Sequence, residues 1–282
     1  MSKSSITVFI SGSSGAGKNT IINKLINEIE NSEFIVSNTT RERRESDRKV
    51  GQYKFISKEE FEQKIANGDI LEYDIYNENY YGVSKKDILD NVDNNKVLLK
   101  DLTVKGVLNC QDLLKDIMPL CSVFVTEKKK VLKQRLKNRG EKAHSIKKRL
   151  AVYKQEHEMI PFYDYKVINN NLEKVVEEIK GIIDTTKNGL PVLTNISCQE
   201  INQKKIDKFV TKIENGKKLK PVVVGVHNNR VYILDGVNRY LAYLKCGKKV
   251  CLHVSGKNYK INHKEDNVNE WVKVVESYKI SD

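Results

Sequence analysis

The sequence predicts an α/β fold in which a parallel β-sheet is covered by helices on both faces. Short apolar strands alternate with amphipathic helices up to about residue 185, the order that produces parallel strands. A glycine-rich loop at 12–17 separates the first strand from the first helix, as in P-loop NTPases. The unpatterned stretch 186–195 indicates a linker, and a shorter series of strands and helices follows it. We therefore expect a P-loop NTPase-type sheet and a second, small α+β domain.

The elements of the first part follow from hydrophobic periodicity. Short apolar runs predict buried strands at 6–11, 97–102, 121–125 and 165–168. Apolar residues three or four positions apart predict helices at 18–30, 104–116 and 172–185. The stretch 34–95 is richer in Tyr, Asp and Asn, which indicates an insertion that packs less and contacts ligands more. The basic stretch 128–157 is predicted as one or two helices interrupted near Gly140.

The second part repeats this alternation on a smaller scale. Helices are predicted at 203–215 and 238–245, and strands at 221–226, 230–234 and 250–254. The first two of these strands flank His227-Asn228-Asn229 and are expected to pair as a hairpin. The polar stretch 258–282 has one amphipathic segment around Trp271. The expected regions are a first domain at 1–187, a second domain at 188–260 and a C-terminal tail at 261–282.

The composition restricts the cellular context and the partners. The 282 residues contain no run near the ~18 apolar residues of a membrane span, and the first residues lack the apolar segment of a secretory signal. A cytoplasmic protein without a membrane partner is expected. The five cysteines lack paired metal spacing, so reduced thiols and no zinc site are expected. The net charge of +13 leaves nucleic acid open as a partner without favouring it, because lysine runs are typical of solvated helix faces.

Residues 10–20 form a phosphate-binding motif between a strand and a helix, Ile-Ser-Gly-Ser-Ser-Gly-Ala-Gly-Lys-Asn-Thr. The glycines let backbone amides turn toward phosphate oxygens, Lys18 adds a mobile positive charge, and the helix offers its positive N-terminal end. Asn19 stands where a Mg²⁺-binding Ser or Thr is usual, and a hydroxyl follows at Thr20. The predicted nucleotide-binding residues are Gly12, Ser13, Ser14, Gly15, Ala16, Gly17, Lys18, Asn19 and Thr20.

Charged and aromatic residues of the insertion occur in an order that core packing does not explain: Ser37, Arg41, Arg44, Tyr53, Glu72 and Tyr81. They belong to the segments Ser-Asn-Thr-Thr-Arg-Glu-Arg-Arg (37–44), Gly-Gln-Tyr-Lys-Phe (51–55), Leu-Glu-Tyr (71–73) and Asn-Tyr-Tyr-Gly (79–82), and Arg-Leu-Lys-Asn-Arg-Gly follows at 135–140. With the phosphate loop, these segments resemble the guanylate kinase family over about residues 4–185. The resemblance implies a P-loop NTPase-type sheet with a nucleotide-monophosphate-binding insertion and a lid. It also implies transfer of the γ-phosphate of ATP, with Mg²⁺, to GMP, dGMP or a related nucleotide.

The resemblance also implies roles around the donor nucleotide. Phosphoryl transfer requires positioning and positive charge on the transferring oxygens, which arginine supplies through its planar fork of donors. Lys18 would contact the donor phosphates, Asn169 would lie near the adenine, and Asp101 would lie near Mg²⁺ or its waters. Arg135 and Arg149 would close over the transferring group. The catalytic residues implied are Lys18, Arg41, Arg135 and Arg149.

The acceptor side departs from the family pattern at two positions. The residues implied to hold the acceptor nucleotide are Ser37, Arg41, Arg44, Tyr53, Glu72, Tyr81, Asp101 and Thr103. Val83 stands where the family usually has a hydroxyl that bonds the guanine oxygen, and a hydroxyl follows only at Ser84; Thr103 stands where a second aspartate is usual. Glu72 remains, and a carboxylate accepts from both the ring N–H and the amino group of guanine. Guanine is favoured, and a pyrimidine or modified nucleotide stays open.

A second motif lies after the linker. Residues 231–242, Val-Tyr-Ile-Leu-Asp-Gly-Val-Asn-Arg-Tyr-Leu-Ala, are preceded by Leu-Lys-Pro-Val-Val-Val at 219–224. Together these segments are similar to the ParB and sulfiredoxin-like superfamily over about 192–256. Members place a strand, a glycine turn and a helix start against a nucleotide phosphate. Val237 replaces the cysteine of sulfiredoxin-type repair, so that activity is not expected. The candidate residues are Glu200, Asp235, Gly236, Asn238 and Arg239.

Three functions stay open for this second domain. It could bind a second nucleotide or small metabolite without catalysis, or phosphorylate a metabolite such as free serine, which would make the protein bifunctional. A nucleotide-responsive DNA- or protein-binding module is the third, although no helix-turn-helix segment adjoins the motif.

Overall fold

The computed structural model describes residues 5–43, 53–76, 78–190, 192–194, 201–255 and 268–278. The chain folds into two compact units. The first comprises residues 1–11 and 18–122, and the second comprises residues 12–17 and 123–282. Among the described residues, no helix is both long enough and apolar enough to cross a membrane.

The first unit contains a parallel array of three strands. Its elements are β1 (Ile6–Gly12), α1 (Lys18–Glu28), β2 (Ser32–Phe34), β3 (Ser37–Thr39), β4 (Tyr53–Phe55), α2 (Lys58–Ala66), β5 (Ile70–Tyr76), β6 (Asn79–Ser84), α3 (Lys85–Leu89), β7 (Val97–Asp101) and α4 (Val104–Leu114). Strand β7 lies between β1 and β2 and pairs in parallel with both. Helix α1 contacts β2 and β7 and buries Ile21, Ile22 and Leu25. The predicted strands at 6–11 and 97–102 and the helix between them are confirmed.

The predicted insertion forms its own four-stranded sheet, in the order β4-β3-β6-β5. Strand β3 is parallel to β4 and antiparallel to β6, which is antiparallel to β5. Ser57 caps α2 by accepting a hydrogen bond from the Glu60 amide at 3.1 Å. Phe61 of α2 is fully buried and stacks on Tyr80 with ring centroids 4.9 Å apart. Aromatic packing thus stabilises the sheet, and its polar residues are available to contact a ligand.

The described residues of the second unit form six strands. Its elements are β8 (Leu120–Thr126), α5 (Lys129–Asn138), α6 (Ala143–Ala151), α7 (Tyr153–Glu158), β9 (Tyr165–Ile168), α8 (Leu172–Lys187), β10 (Leu193–Thr194), α9 (Gln203–Glu214), β11 (Val222–His227), β12 (Arg230–Asp235), α10 (Val237–Lys245), β13 (Leu252–Val254) and α11 (Val268–Tyr278). The strand order is β10-β12-β11-β13-β9-β8. Only the β11–β12 pair is antiparallel among these described neighbours. The mostly parallel α/β sheet expected from the sequence is confirmed.

The hairpin expected around His227-Asn228-Asn229 is present. His227 pairs with Arg230, which leaves a two-residue loop. Asn228 and Asn229 both have positive φ, 46° and 55°, the geometry of the tight turn that suits twisted antiparallel strands. Asparagine tolerates this conformation better than most residues, so the local sequence determines the turn.

The strands after residue 192 extend the sheet that contains β8 and β9. Leu252 of β13 pairs with Tyr165 of β9. Helix α8 contacts both strands of the hairpin, and the approach is so close that a Cβ on Gly181 would lie 2.2 Å from Val226 Cγ1. In α11, the fully buried Trp271 donates its Nε1 hydrogen to the Val192 carbonyl at 2.7 Å.

Two expectations about elements were incomplete. The basic stretch 128–157 contains three helices instead of one or two, since α5 ends before Gly140 (φ +77°) and a second break follows Ala151. The predicted linker 186–195 contains the end of α8 and the strand β10. A strand of two residues is too short to produce a periodic pattern, so the sequence could not indicate it.

Candidate functional site

The phosphate loop in the second unit requires its glycines. Gly12, Gly15 and Gly17 have φ values of 135°, 82° and 91°, which other residues rarely adopt. A Cβ on Gly12 would lie 1.9 Å from the Val125 carbonyl oxygen, and one on Gly17 would lie 2.7 Å from Asn169 Nδ2. The loop is therefore held in a conformation that only glycine accommodates at these positions.

Two side chains fix the loop at Ala16. Asn169 Nδ2 donates to the Ala16 carbonyl at 2.7 Å. Arg135 donates from Nη2 to the Asn169 carbonyl at 2.7 Å and from Nη1 to the Ala16 carbonyl at 3.4 Å. The loop carbonyl is thus turned toward these donors, and a guanidinium lies beside the loop.

Arg149 reaches the same loop from α6. Its Nη1 donates to Ser14 Oγ at 3.1 Å, and its Nε lies 3.1 Å from a Glu141 carboxylate oxygen. The side chain is 52% exposed. The structure brings Ser14, Ala16, Arg135, Arg149 and Asn169 together, with two arginines beside one loop.

The first turn of α1 holds the rest of the predicted motif. Lys18 is half-buried, and Asn19 and Thr20 are exposed. This turn contains no acidic residue, so the positive end of the helix dipole is not neutralised locally. The turn therefore favours an anion.

Three of the acceptor residues predicted in the first unit, Tyr53, Ser37 and Glu72, lie in a row across the inserted sheet. Tyr53, Ser37, Val83 and Glu72 are successive register partners on β4, β3, β6 and β5. Paired residues in neighbouring strands project from the same face. The hydroxyl, carboxylate and phenol of this row therefore belong to one surface.

Aromatic and cationic side chains extend that surface. The Tyr53 and Tyr81 rings meet edge to face with centroids 6.0 Å apart. The Arg41 guanidinium lies 5.2 Å from the Tyr53 ring and 5.3 Å from that of Phe55. The predicted cluster of Arg41, Tyr53 and Tyr81 is thus assembled, while Arg44 lies outside the described residues.

Glu72 is a buried carboxylate with an unsatisfied oxygen. Its residue is 7% exposed, and Oε2 has no hydrogen-bond partner. Burial, with a smaller contribution from Asp74, raises the pKa of Glu72 to about 7. The carboxylate lies against the first turn of α4, where a Cβ on Gly106 would come within 2.8 Å of it. A buried acceptor of this kind is costly unless a ligand supplies donors.

Lys100 is a residue of this site that the sequence pattern did not indicate. It is 2% exposed and donates from Nζ to the Ile35 carbonyl at 3.0 Å and to Ser37 Oγ at 2.5 Å. Burial lowers the pKa of its ammonium, although Asp101 and Glu72 oppose that shift. The available signal was a lysine within the predicted buried strand at 97–102, directly after the apolar residues Val97-Leu98-Leu99.

Asp101 and Thr103 follow at the carboxyl end of β7. Asp101 Oδ1 lies 4.0 Å from Lys100 Nζ, and its side chain is part-exposed. Mg²⁺ in kinase sites is held by one or two carboxylates, waters and substrate phosphates, so an accessible carboxylate at this strand end fits a Mg²⁺ that arrives with ATP. Thr103 Oγ1 accepts from the Gly106 amide at 3.2 Å and caps α4.

The motif residues of the second predicted domain form a glycine turn and hydrogen bonds within the protein. Gly236 has φ +99° and precedes α10. Arg239 pairs with Asp235 at 2.9 Å and donates to the Pro221 carbonyl at 3.0 Å. Asn238 Oδ1 accepts from the Asn202 amide at 2.9 Å. Glu200 lies outside the described residues.

A basic cavity lies elsewhere in the second unit. It has a volume of about 410 Å³, and His157, Tyr243 and His253 contribute to its wall. Five lysines also line it: Lys217, Lys218, Lys220, Lys248 and Lys249. Lys249 pairs with Asp164 at 2.9 Å. The lining favours an anionic ligand.

The chain has a phosphate loop flanked by arginines. It also has a separate sheet with an arginine–tyrosine cluster and a buried carboxylate. These features define a P-loop nucleoside monophosphate kinase. The family model for guanylate kinase matches residues 4–186. The chain belongs to the guanylate kinase family.

The comparisons with individual proteins agree. The chain is 38% identical over 181 residues to guanylate kinase of Helicobacter pylori strain ATCC 700392 / 26695, which covers 63% of this chain and 86% of the relative. It is 32% identical over 207 residues to guanylate kinase of Clostridioides difficile strain 630, which covers 71% and 98%. The crystal structure of guanylate kinase from Anaplasma phagocytophilum superposes with a TM-score of 0.51 at 26% identity, which covers 65% of this chain and 87% of that one.

Proposed function

We propose that residues 4–186 transfer the γ-phosphate of ATP to GMP and release ADP and GDP. The observation that carries the choice of base is the buried Glu72 carboxylate with its unpartnered oxygen. Guanine presents a ring N–H and an amino group side by side, and one carboxylate accepts from both. Adenine presents a lone pair at the corresponding ring nitrogen, which the carboxylate repels.

On the donor side, the amides of residues 12–17 and Lys18 bind the ATP phosphates, and Asn169 lies near the adenine. Arg135 and Arg149 stabilise the charge of the transferring group, since each already places a guanidinium within hydrogen-bonding distance of the loop. Mg²⁺ bound with ATP supplies charge neutralisation at the phosphates. Asp101 would hold a water of that ion.

On the acceptor side, Arg41 with Tyr53 and Tyr81 binds the phosphate of GMP. The stacking of Arg41 on two rings supports this role, because it holds the guanidinium plane in place for bidentate contact with phosphate. Arg44 is proposed to assist. Ser37 and Glu72 contact the base, with Thr103 nearby. Positioning and charge supply most of the catalysis in such a reaction.

The test is a panel of acceptors. Purified protein, ATP and Mg²⁺ are incubated with GMP, dGMP, AMP, CMP, UMP or dTMP, and ADP is followed by a coupled assay. GMP should give the largest kcat/KM. Lys18→Ala should abolish turnover, whereas Lys24→Ala, which removes an ion pair with Glu28 farther along α1, should not. The proposal fails if no acceptor raises ADP above the acceptor-free rate.

For residues 188–260 we propose a ParB/sulfiredoxin-like module that binds a second nucleotide or a phosphate-bearing metabolite. The hairpin, the glycine turn at Gly236 and the five-lysine cavity support it. Lys18→Ala protein should still bind nucleotide through this module. Adding Lys218→Ala and Lys220→Ala should weaken that binding. Phosphorylation of free serine would identify a second kinase, and salt-sensitive DNA binding without nucleotide binding would contradict the proposal. The domain boundaries, the reduced state of Cys198 and the cytoplasmic location stay predictions.

A further inference from the structure

We propose that Lys100 is a specificity-determining positioning residue, which fixes the Ser37 hydroxyl as a hydrogen-bond donor to the 6-oxo group of the acceptor purine. In this role it compensates for Val83, which lacks the hydroxyl usual at its position. The inference rests on the proposed phosphorylation of GMP and deepens it.

Lys100 is almost fully buried. Apolar residues precede it in the strand and the part-exposed Asp101 follows it with Oδ1 4.0 Å from Nζ, but a buried ammonium is still costly unless it is hydrogen-bonded. Two bonds compensate it, to the Ile35 carbonyl and to Ser37 Oγ, and its Nζ lies 4.8 Å from the centre of the Phe34 ring. A leucine at this position would satisfy the core, so the lysine is best explained by the group it contacts.

The hydrogen bond from Lys100 fixes the role of the Ser37 hydroxyl. A lysine ammonium only donates, so Ser37 Oγ is the acceptor in this bond. Ser37 therefore keeps its own proton for another partner. A hydroxyl that already accepts a bond from a cation is also a better donor. Lys100 thus converts an ambivalent hydroxyl into a directed donor.

Ser37 lies in the row of register partners formed by Tyr53, Ser37, Val83 and Glu72. Ser37 pairs with Val83, and Val83 pairs with Glu72, so a donor and an acceptor flank a fully buried apolar residue on one face. The edge of guanine carries the complementary order, with an acceptor oxygen at position 6 followed by two donors. Adenine has an amino group at position 6, which would oppose the Ser37 donor.

The probes isolate position 6. GMP and IMP share the 6-oxo group, whereas 6-thioguanosine monophosphate retains both donors for Glu72 and carries the weaker acceptor sulfur. In Lys100→Met, we expect kcat/KM for GMP and IMP to fall by about 10- to 100-fold, as for the loss of a charge-assisted hydrogen bond. The thio analogue should lose less, so the preference for GMP over it should shrink by about tenfold. The KM for ATP should not change.

Rescue separates positioning from structure. Val83→Ser restores a hydroxyl beside Ser37, so in the Lys100→Met background it should recover most of the GMP preference. Ser37→Ala should reproduce the Lys100→Met pattern, and combining the two should add little.

Three outcomes decide the matter. If wild-type protein does not phosphorylate GMP, the proposed function itself fails. If wild-type protein does so and Lys100→Met keeps both its GMP KM and its preference over the thio analogue, the role of Lys100 is refuted. Equal losses for all three acceptors without rescue by Val83→Ser, in protein with an unchanged circular dichroism spectrum, would also refute it.

Discussion

The carboxylate of Glu72 lies where a side chain on Gly106 would have to stand, 2.8 Å from the position of its Cβ. Gly106 belongs to the first turn of α4, whose cap is Thr103. The glycine is therefore required by the carboxylate beside it, and the two residues together shape the proposed base-binding site.

Gly106→Ala should displace Glu72 and raise the KM for GMP by about tenfold or more, because a methyl group competes for the space of a positioned carboxylate. The KM for ATP should stay unchanged. Alanine is more favourable than glycine in a helix by roughly 1 kcal/mol. We therefore do not expect the rise in the KM for GMP to come from a loss of stability of the protein. Asp112→Ala, at an exposed position of α4, serves as the control. An unchanged KM for GMP would show that Glu72 does not need this geometry.

Acceptor binding should depend on the ionisation of Glu72. Its pKa is raised to about 7 by burial, with Asp74 adding to the shift and Lys100 and Lys105 opposing it. Only the ionised carboxylate accepts from both donors of guanine, so the KM for GMP should fall as pH rises from 6 to 8. Lys100→Met removes an opposing charge and should move this transition to higher pH. A flat KM profile in wild-type protein across that range would contradict the assignment.

The same carboxylate should reduce stability at high pH. A carboxyl whose pKa rises from 4.5 to about 7 on folding keeps its proton more tightly in the folded state, so its stabilising contribution is lost as pH rises from 4.5 through 7. Glu72→Gln should therefore exceed wild-type stability above pH 7, by at most about 3 kcal/mol, and match it near pH 4.5. Denaturant unfolding at both pH values measures this.

Glu178 provides the matched control for Glu72. It is buried on α8, burial raises its pKa to about 7, and Oε1 has no hydrogen-bond partner, although Lys174 Nζ forms an ion pair with it at 3.9 Å. Glu178→Gln should stabilise the protein in the same pH window without changing the KM for GMP. Glu72→Gln should raise that KM by 100-fold or more, since the amide presents an N–H toward the donors of guanine. Equal effects of both variants on KM would remove the special role of Glu72.

Arg149 should act on the rate more than on stability. Its guanidinium is half exposed and bonds Ser14 and Glu141, so Arg149→Ala should change the free energy of unfolding by less than ~1 kcal/mol. Loss of a cation at the transferring phosphoryl should lower kcat by about 100-fold or more. Arg139→Ala, on an exposed residue at the end of α5, should retain activity. Equal kcat values for the two variants would contradict the proposed role of Arg149 at the transferring phosphoryl group.

The sequence predicted most of the frame for local reasons. Apolar runs identified β1, β7, β8 and β9, and the Asn228-Asn229 pair identified the hairpin turn. The grouping of Arg135, Arg149 and Asn169 at the loop came from the family resemblance, because no pattern in one chain reveals contacts more than a hundred residues apart.

What could not be predicted depends on register. The row from Tyr53 to Glu72 exists because β3 and β6 pair so that Ser37 faces Val83, and a shift of one residue would turn Ser37 to the other face. Lys100 escaped notice because its strand pattern is apolar and its partner lies 63 residues earlier. The short β10 and the burial of Trp271 also depend on tertiary contacts.

Trp271 should stabilise the second unit. Its ring is fully buried, stacks near Tyr240 at 6.5 Å and donates a hydrogen bond to the Val192 carbonyl. Trp271→Ala should therefore cost about 3–5 kcal/mol of unfolding free energy, and Trp271→Phe less, since it keeps most of the apolar volume but leaves that carbonyl unpaired. Lys273→Ala, at an exposed position of the same helix, should be neutral. Melting curves compare the three variants, and equal midpoints for Trp271→Ala and wild-type protein would show that α11 does not hold β10 in place.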